Sequence, residues 1–274
     1  MDVITVNVGQ GSLSIVRNNN EAIIIDSRIP PVGDKTVTYV KSIFSQFLKD
    51  HNVKGLILTG FDNDHSDAIG VQLVLNKYRP DWIMYPQYYK DTGAASDVFK
   101  VIKTFEKNCN KDFNKISVSL DKGNNFNCGK VSDQFSFKFF SPQTNHMTNS
   151  NNSSIVMQIK GVGTNGFTYL ITGDTENSRW TTINNSFGDL LKSDVLAVPH
   201  HGSINATNSQ TMTYVNPHTA LISAGVGNQY GHPSSKVVQA YGKISKVYCT
   251  NLPEHASLLT TKINGELKTL RFDI

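Results

Sequence analysis

Four apolar runs of strand length each lead directly into aspartate or histidine, and this pattern restricts the folds open to the 274-residue chain. The runs lie in the segments "AIIIDS", "LILTGFDNDH", "YLITGDTE" and "VLAVPHHGS". In sheets that are covered by helices, the loops after the carboxyl ends of strands converge at one edge of the sheet. The pattern therefore predicts a helix-covered β-structure with Asp and His side chains gathered at one edge.

The order of strands and helices indicates more than one sheet. Apolar alternation and short apolar runs predict strands at residues 2–8, 12–17, 21–26, 53–60, 81–86, 134–142, 153–160, 167–174, 193–199, 218–225 and 246–250. Amphipathic patterns predict helices at residues 34–51, 67–78, 95–107, 175–191, 208–214 and from 234. Strands dominate each half, which favours two packed sheets with helices outside over one doubly wound parallel sheet. We expect an α/β (α+β) fold in a single domain, residues 1–274.

The composition is globular and carries little net charge. Hydrophobic residues make up 38% and charged residues 18%, and 26 Lys+Arg against 22 Asp+Glu give a net charge of +4. This charge permits binding to phosphate without demonstrating it.

Three cysteines without CxxC spacing indicate neither a disulfide framework nor a thiolate zinc site. Because the sequence shows neither a secretory signal nor a long apolar window, it predicts a soluble, cytoplasmic protein without membrane contact, and it leaves the oligomeric state open.

The densest group of candidate metal ligands is Asp62, Asp64 and His65, on a predicted strand-to-helix turn. Carboxylate and imidazole donors suit zinc or manganese. Bringing several such groups together without a cation is costly, because charges lose hydration. This turn therefore predicts a divalent metal site.

The remaining candidates also have ordinary structural explanations. Asp174 after a strand is compatible with a turn former or a helix N-cap. His200 and His201 are compatible with an exposed glycine-containing loop, and His232 with a loop histidine that makes local hydrogen bonds. Only their convergence with the first group would make them metal-site residues.

Three further segments, "VNVGQGSLSIV", "NNSSIVMQI" and "NQYGHPSS", complete an ordered set of motifs with the four above. Over roughly residues 3–240 the chain resembles the metallo-β-lactamase fold superfamily, most closely the hydrolase domain of ComEC/Rec2-type competence proteins. The resemblance implies a four-layer αββα sandwich of two mixed sheets flanked by helices. It also implies a hydrolytic centre that holds one or two divalent ions, zinc or manganese.

The resemblance assigns a role to each candidate residue by its position in the motifs. Asp64 and His65 would bind one ion, Asp174 would bridge both ions, His232 would complete the Asp64/His65 side, and Asp62 would face the other ion. Asp26 would brace the site from behind the ligands. One member of the catalytic pair His200 and His201 would donate a proton to the leaving group or contact a phosphate.

Three positions depart from the family pattern. Gly60 stands where the metal loop usually begins with a histidine, and Ser12 stands where an acid is frequent. No histidine of the third motif is evident, since Ser141, Asn151 and Asn152 lie near that region and His146 would reach the site only if its loop folds over it. The departures predict a site with one strong and one weak ion.

The resemblance implies a metal-dependent hydrolase that cleaves a phosphodiester, with nucleic acid or a small nucleotide as substrate. A bound metal activates water for such a reaction. The alternatives are a binding protein on a catalytically degenerate hydrolase fold, which Gly60 favours, and an ester, lactone or phosphocholine hydrolase. The retained "TGD", "HHGS" and "GHP" segments favour an enzyme. No nucleic-acid recognition motif in the sequence supports nucleic acid in particular.

Overall fold

The computed structural model describes residues 1–29, 35–120, 126–143, 149–251 and 256–272. The strands are β1 (Asp2–Thr5), β2 (Ser14–Asn18), β3 (Glu21–Ile25), β4 (Asn52–Ile57), β5 (Trp82–Pro86), β6 (Asn114–Val118), β7 (Phe135–Ser141), β8 (Val156–Gly161), β9 (Thr168–Ile171), β10 (Val195–Ala197), β11 (Thr219–Ile222), β12 (Lys246–Cys249), β13 (Ser257–Ile263) and β14 (Glu266–Phe272). The helices are α1 (Lys35–Phe47), α2 (Ala68–Tyr78), α3 (Gly93–Asn108), α4 (Asn177–Phe187), α5 (Ser209–Val215) and α6 (Ser235–Gly242).

The strands form two mixed sheets. The first sheet has the order β14-β13-β1-β2-β3-β4-β5-β6, and the second has the order β12-β11-β10-β9-β8-β7. In the first sheet β3 to β6 are parallel, and in the second sheet β9 to β12 are parallel. The carboxyl ends of these parallel strands supply the loops that build the site.

Alternation along the strands separates the core into layers. In β3, Ile24 packs with α1, α2 and α3 residues, whereas its neighbours Ile23 and Ile25 pack with residues of the second sheet. Successive side chains of a strand point to opposite faces, so one strand serves both layers. A third apolar cluster joins the second sheet to α4, α5 and α6. The result is the four-layer αββα sandwich that the motif resemblance implied.

The predicted elements are present, and three strands add to them. The strand β6 and the hairpin of β13 and β14 extend the first sheet at its two edges. Asn264 and Gly265 connect the hairpin, both with positive φ (53° and 82°), and Asn-Gly is a common two-residue hairpin signal. Among the described helices, none is long and apolar enough to cross a membrane.

Candidate metal centre

Asp26 forms the floor of the site, directly after β3. Its side chain is 1% exposed. Its Oδ1 accepts hydrogen bonds from the backbone N–H of Thr59 (2.7 Å) and from the Thr59 hydroxyl (2.9 Å), while its Oδ2 lies 2.8 Å from His65 Nδ1. A carboxylate in this place orients the imidazole and directs the other ring nitrogen forward. Asp26 thus lies next to the ring of His65, and its bracing role stays a prediction.

A left-handed backbone turn puts the Asp26 carboxylate in place. The φ of Asp26 is 57°, a region that Asp visits more readily than most non-glycine residues. Its N–H donates to the Ile57 carbonyl (2.7 Å), and the N–H of Ser27 donates to the His65 carbonyl (2.8 Å). The turn after β3 is thereby tied to the loop after β4.

His65 joins the two sheets. The residue is 4% exposed, and its Nε2 lies 2.8 Å from Oδ1 of Asp174, which follows β9 in the second sheet. Despite this short distance, neither atom has a hydrogen-bond partner of acceptable geometry among the described residues. The two atoms are therefore in close charged contact without hydrogen-bond geometry, which leaves both able to bind a common ion.

His201 supplies a third buried donor. Its Nδ1 lies 2.8 Å from the carbonyl oxygen of Ser223, which follows β11. An Nδ1–H that donates to this carbonyl leaves Nε2 free of a proton in the neutral ring. The Nε2 atom lies 3.5 Å from Asp64 Oδ2 and 3.7 Å from Asp174 Oδ1, and it too lacks a hydrogen-bond partner among the described residues.

Asp64, His65, Asp174 and His201 thus form a cluster in which one ligand atom of each lies within 4.8 Å of the others. Two carboxylates and two imidazoles are a donor set that zinc and other divalent metals accept. Buried polar atoms without hydrogen-bond partners are rare and costly, and in the described part of the chain three of them occur together here. The residues present therefore fit a divalent ion.

The charges of the cluster raise the pKa of its histidine His65 and lower the pKa of its aspartate Asp174, so that both charged forms are favoured. Burial lowers the pKa of His65, but the carboxylates of Asp174 and Asp26 outweigh this effect and raise it well above the usual range. Burial raises the pKa of Asp174, but the charges of His65 and His201 outweigh it and hold the pKa well below the usual range. Without a metal, imidazole protons provide the positive charge that the carboxylates require.

The other predicted site residues lie around this cluster. His200 lies beside it, with Nε2 3.8 Å from Asp174 Oδ2 and Nδ1 3.8 Å from Glu176 Oε1. The His232 ring lies 5.6 Å from the His200 ring and outside the group of four. Asp62 is also outside that group and lines the adjacent cleft. The structure therefore brings His201, rather than His232, to the side of Asp64 and His65.

Sequence reasoning missed Thr59, whose backbone and hydroxyl hold Asp26, although its place one residue before Gly60 in the metal loop was a signal. Among the described residues there is room for a side chain at Gly60, since an added Cβ would meet only the Ser154 hydroxyl, at 3.9 Å. The amides of the third-motif region bind protein groups: Asn151 Nδ2 donates to Glu176, and the Asn152 side chain accepts from the Glu176 N–H. His146 lies outside the described residues.

A cleft opens in front of the cluster. Its volume is about 680 Å³. Residues from both sheets line it: Gln10, Arg28, Asp62, Asn63, Asp64, Ser150, Asn151, Asp174, His200, Asn228, Gln229 and Tyr230. A smaller cavity of about 40 Å³, whose walls include Ser12, Asp26, His65 and His201, also adjoins the cluster. The cluster is therefore open to a ligand from the larger cleft.

The chain is similar to competence and recombination proteins. It is 28% identical over 202 residues to ComE operon protein 3 of Bacillus subtilis, covering 73% of this chain and 24% of that protein. It is 26% identical over 236 residues to Recombination protein 2 of Haemophilus influenzae, covering 86% of this chain and 26% of that protein. The chain thus spans about a quarter of the length of these curated relatives.

Comparison with solved structures supports the architecture. Igni18, described as a novel metallo hydrolase from the archaeon Ignicoccus hospitalis, superposes with a TM-score of 0.56 at 15% identity and covers all of both chains. No family model matches the chain. The sheet order, the four layers and the similarity to competence proteins agree with the motif resemblance. The protein is therefore ComEC/Rec2-like and has the metallo-β-lactamase fold.

Proposed function

We propose that this protein is a metal-dependent hydrolase that cleaves a phosphodiester in a nucleic acid or a small nucleotide. The convergence of three buried ligand atoms from His65, Asp174 and His201, none with a hydrogen-bond partner among the described residues, supports this proposal most strongly. These atoms lie beside an open cleft, where a substrate has access. A metal ion with only a structural role would not need access from this cleft.

Asp64, His65, Asp174 and His201 would hold the ion. When bound there, the ion would supply activation of water and polarisation of an oxygen of the scissile group. Zinc and manganese both suit the donors.

The remaining residues position the reacting groups. Asp26 fixes the ring of His65, and the Ser223 carbonyl fixes that of His201, so that both Nε2 atoms point into the cluster. His200 lines the cleft between Asp174 and Glu176. In that position His200 donates a proton to the leaving oxygen.

An activity survey tests the proposal. Bis-p-nitrophenyl phosphate, single-stranded DNA, duplex DNA, RNA and cyclic nucleotides are assayed with zinc or manganese. We expect turnover of a diester, a loss of about 100-fold or more in His200→Ala, and a loss of about 10- to 100-fold in Asp26→Asn. The exposed Asp133→Asn, which makes the same chemical change far from the site, should behave as wild type.

The outcome also separates the alternatives. A protein that binds metal but turns over no diester contradicts the proposed function. In that case, hydrolysis of carboxylic esters or lactones supports the ester-hydrolase alternative, and absence of all turnover supports the binding protein that Gly60 favours.

A further inference from the structure

Arg28 contributes a positive charge to the cleft in front of the cluster. It lies two residues after Asp26, and among the described residues that line the cleft it is the only arginine or lysine. The Arg28 stem packs against the turn at Gly11, where a Cβ would lie 2.5 Å from the Arg28 Cγ. Because Gly11 has no side chain, the aliphatic stem of Arg28 fits against this turn.

The Arg28 guanidinium has no strong partner within the described protein. Its Nη1 makes a long contact of 3.4 Å to the Asn63 carbonyl and lies 3.8 Å from Asp67 Oδ2. Its Nε is buried without a hydrogen-bond partner among the described residues. An arginine kept only for stability would be expected to make short, paired contacts.

Asp67 is already engaged by backbone groups. Its Oδ2 accepts from the Ile29 N–H at 2.6 Å, and its Oδ1 accepts from the Gly70 N–H at 2.7 Å as the N-cap of α2. These bonds hold the carboxylate at the helix start. Arg28 therefore retains donors that a ligand in the cleft is able to use.

We infer that Arg28 binds the non-bridging oxygens of the substrate phosphate and so selects an anionic phosphodiester over a neutral ester. This inference rests on the proposed function, whose substrate it specifies. A guanidinium matches phosphate with two parallel hydrogen bonds. It also offsets the repulsion that Asp62 and Asp64 exert on an anion in the same cleft.

The cleft favours a nucleotide unit over a long polyanion. A single arginine neutralises about one phosphate, whereas tight binding of duplex DNA uses several such contacts. Tyr230 lines the same cleft with 59% of its surface exposed, and an exposed aromatic ring accepts a stacked base. AMP, which has one phosphate and one base, is therefore a suitable probe.

Calorimetric titration of the zinc-loaded protein with AMP tests the inference without requiring turnover. We expect Arg28→Met, which keeps the aliphatic stem, to weaken binding about 10- to 100-fold, and Arg28→Lys to weaken it less. Arg79→Met is the matched control, because it removes the same charge at a different place. Arg79 follows the C-terminal end of α2, whereas Asp67 and Arg28 lie near its N-terminal end. Equal AMP affinity in wild type and Arg28→Met would overturn the inference.

Kinetics separate this inference from the proposed function. Arg28→Met should lower kcat/KM for bis-p-nitrophenyl phosphate about 10- to 100-fold and leave the binding of adenosine, which has no phosphate, unchanged. An equal loss of affinity for AMP and for adenosine contradicts a role in phosphate selection. If wild type cleaves no diester but Arg28→Met still weakens AMP binding, the proposed function fails and phosphate binding by Arg28 stands. Thermal melting checks folding, and Arg28→Lys provides the test should Arg28→Met not fold.

Discussion

At the scale of single residues, the site depends on backbone conformations that most side chains avoid. Asp26, His200 and His201 have φ values of 57°, 50° and 53°. Left-handed conformations of non-glycine residues are unfavourable and persist where surrounding contacts require them. Here these conformations direct Asp26 and His201 towards the cluster and His200 towards the cleft beside it. The unfavourable conformations therefore coincide with the candidate site.

Gly60→His should strengthen binding of a second ion. A Cβ at position 60 would meet the Ser154 hydroxyl alone, at 3.9 Å, within the part of the chain that the structure describes, and an imidazole would supply the donor that the motif resemblance leads one to expect there. We expect metal analysis to show stoichiometry rising from about one towards about two ions per chain. Gly60→Ala, which adds only the Cβ, should keep the wild-type value. Unchanged stoichiometry in Gly60→His would place Gly60 outside the second ion's reach.

The metal-free protein should lose stability as pH rises. The folded-state pKa of His65 is raised above the usual 6.5, mainly by Asp174 and Asp26 against the opposing effect of burial. The resulting stabilisation is therefore fully present below pH 6.5 and is lost as pH rises through the folded-state pKa. His201 shifts in the same direction.

Melting temperatures of EDTA-treated protein from about pH 6 to about pH 9 test this expectation. The fall should be smaller in His65→Gln. The Met1 amino group, whose pKa burial lowers, acts in the opposite direction in both proteins, so the difference between the two slopes isolates His65. Zinc-loaded protein should instead gain stability with pH, because zinc binds neutral imidazole. Equal slopes for the two metal-free proteins would contradict the His65 assignment.

At the scale of secondary structure, close contact between α2 and the turn after β3 sets the position of the site. A Cβ at Gly70 would lie 1.7 Å from the backbone oxygen of Ser27. The helix α2 therefore packs so closely against Ser27, the residue next to Asp26, that only glycine fits at position 70. Since Asp67 caps the same helix and binds the Ile29 N–H, the first turn of α2 is attached to the loop that carries Asp26.

Gly70→Ala should destabilise the fold and weaken metal binding. The added methyl group collides with backbone, which cannot move without displacing Asp26, so we expect a loss of about 3 kcal/mol in the free energy of unfolding. Urea unfolding and zinc titration measure the two effects. Gly242→Ala, whose Cβ has no neighbour within 4 Å near the end of α6, should be neutral or slightly stabilising. Equal stability of the two variants would contradict the importance of the close contact.

At the scale of the whole molecule, the cluster connects the two sheets. Asp64 and His65 follow β4 in the first sheet, whereas Asp174 and His201 follow β9 and β10 in the second. An ion that binds all four residues holds together loops that separate when the sandwich unfolds. Metal binding should therefore stabilise the native state as a whole.

Zinc at about 100 times its Kd should raise the melting temperature by roughly 5 to 10 °C. Asp174→Asn should lose most of this increase, because it removes the carboxylate charge at the centre of the cluster. Asp133→Asn, at an exposed ion pair with Lys130, should retain the full increase. Differential scanning calorimetry with and without zinc measures these shifts. An undiminished increase in Asp174→Asn would exclude Asp174 from the metal site.

Much of the fold could be predicted because its signals are local. Apolar alternation located most strands, and the 3.6-residue period located the helices, since both reflect which face of an element is buried. The strand β6 and the β13–β14 hairpin were not predicted. The Asn264-Gly265 turn signalled the hairpin, but its place beside β1 depends on contacts across some 250 residues of chain, from Asp2 to Thr261.

The sequence by itself determined that Asp and His side chains follow the strands and that two sheets carry them, because strand length and burial are encoded by neighbouring residues. Only the tertiary structure decided which side chains meet. It grouped His201 with Asp64, His65 and Asp174, left His232 beside His200, and placed Arg28 in the cleft. The physical reason is that these distances depend on how two sheets pack against each other, and no local pattern along the chain encodes that packing.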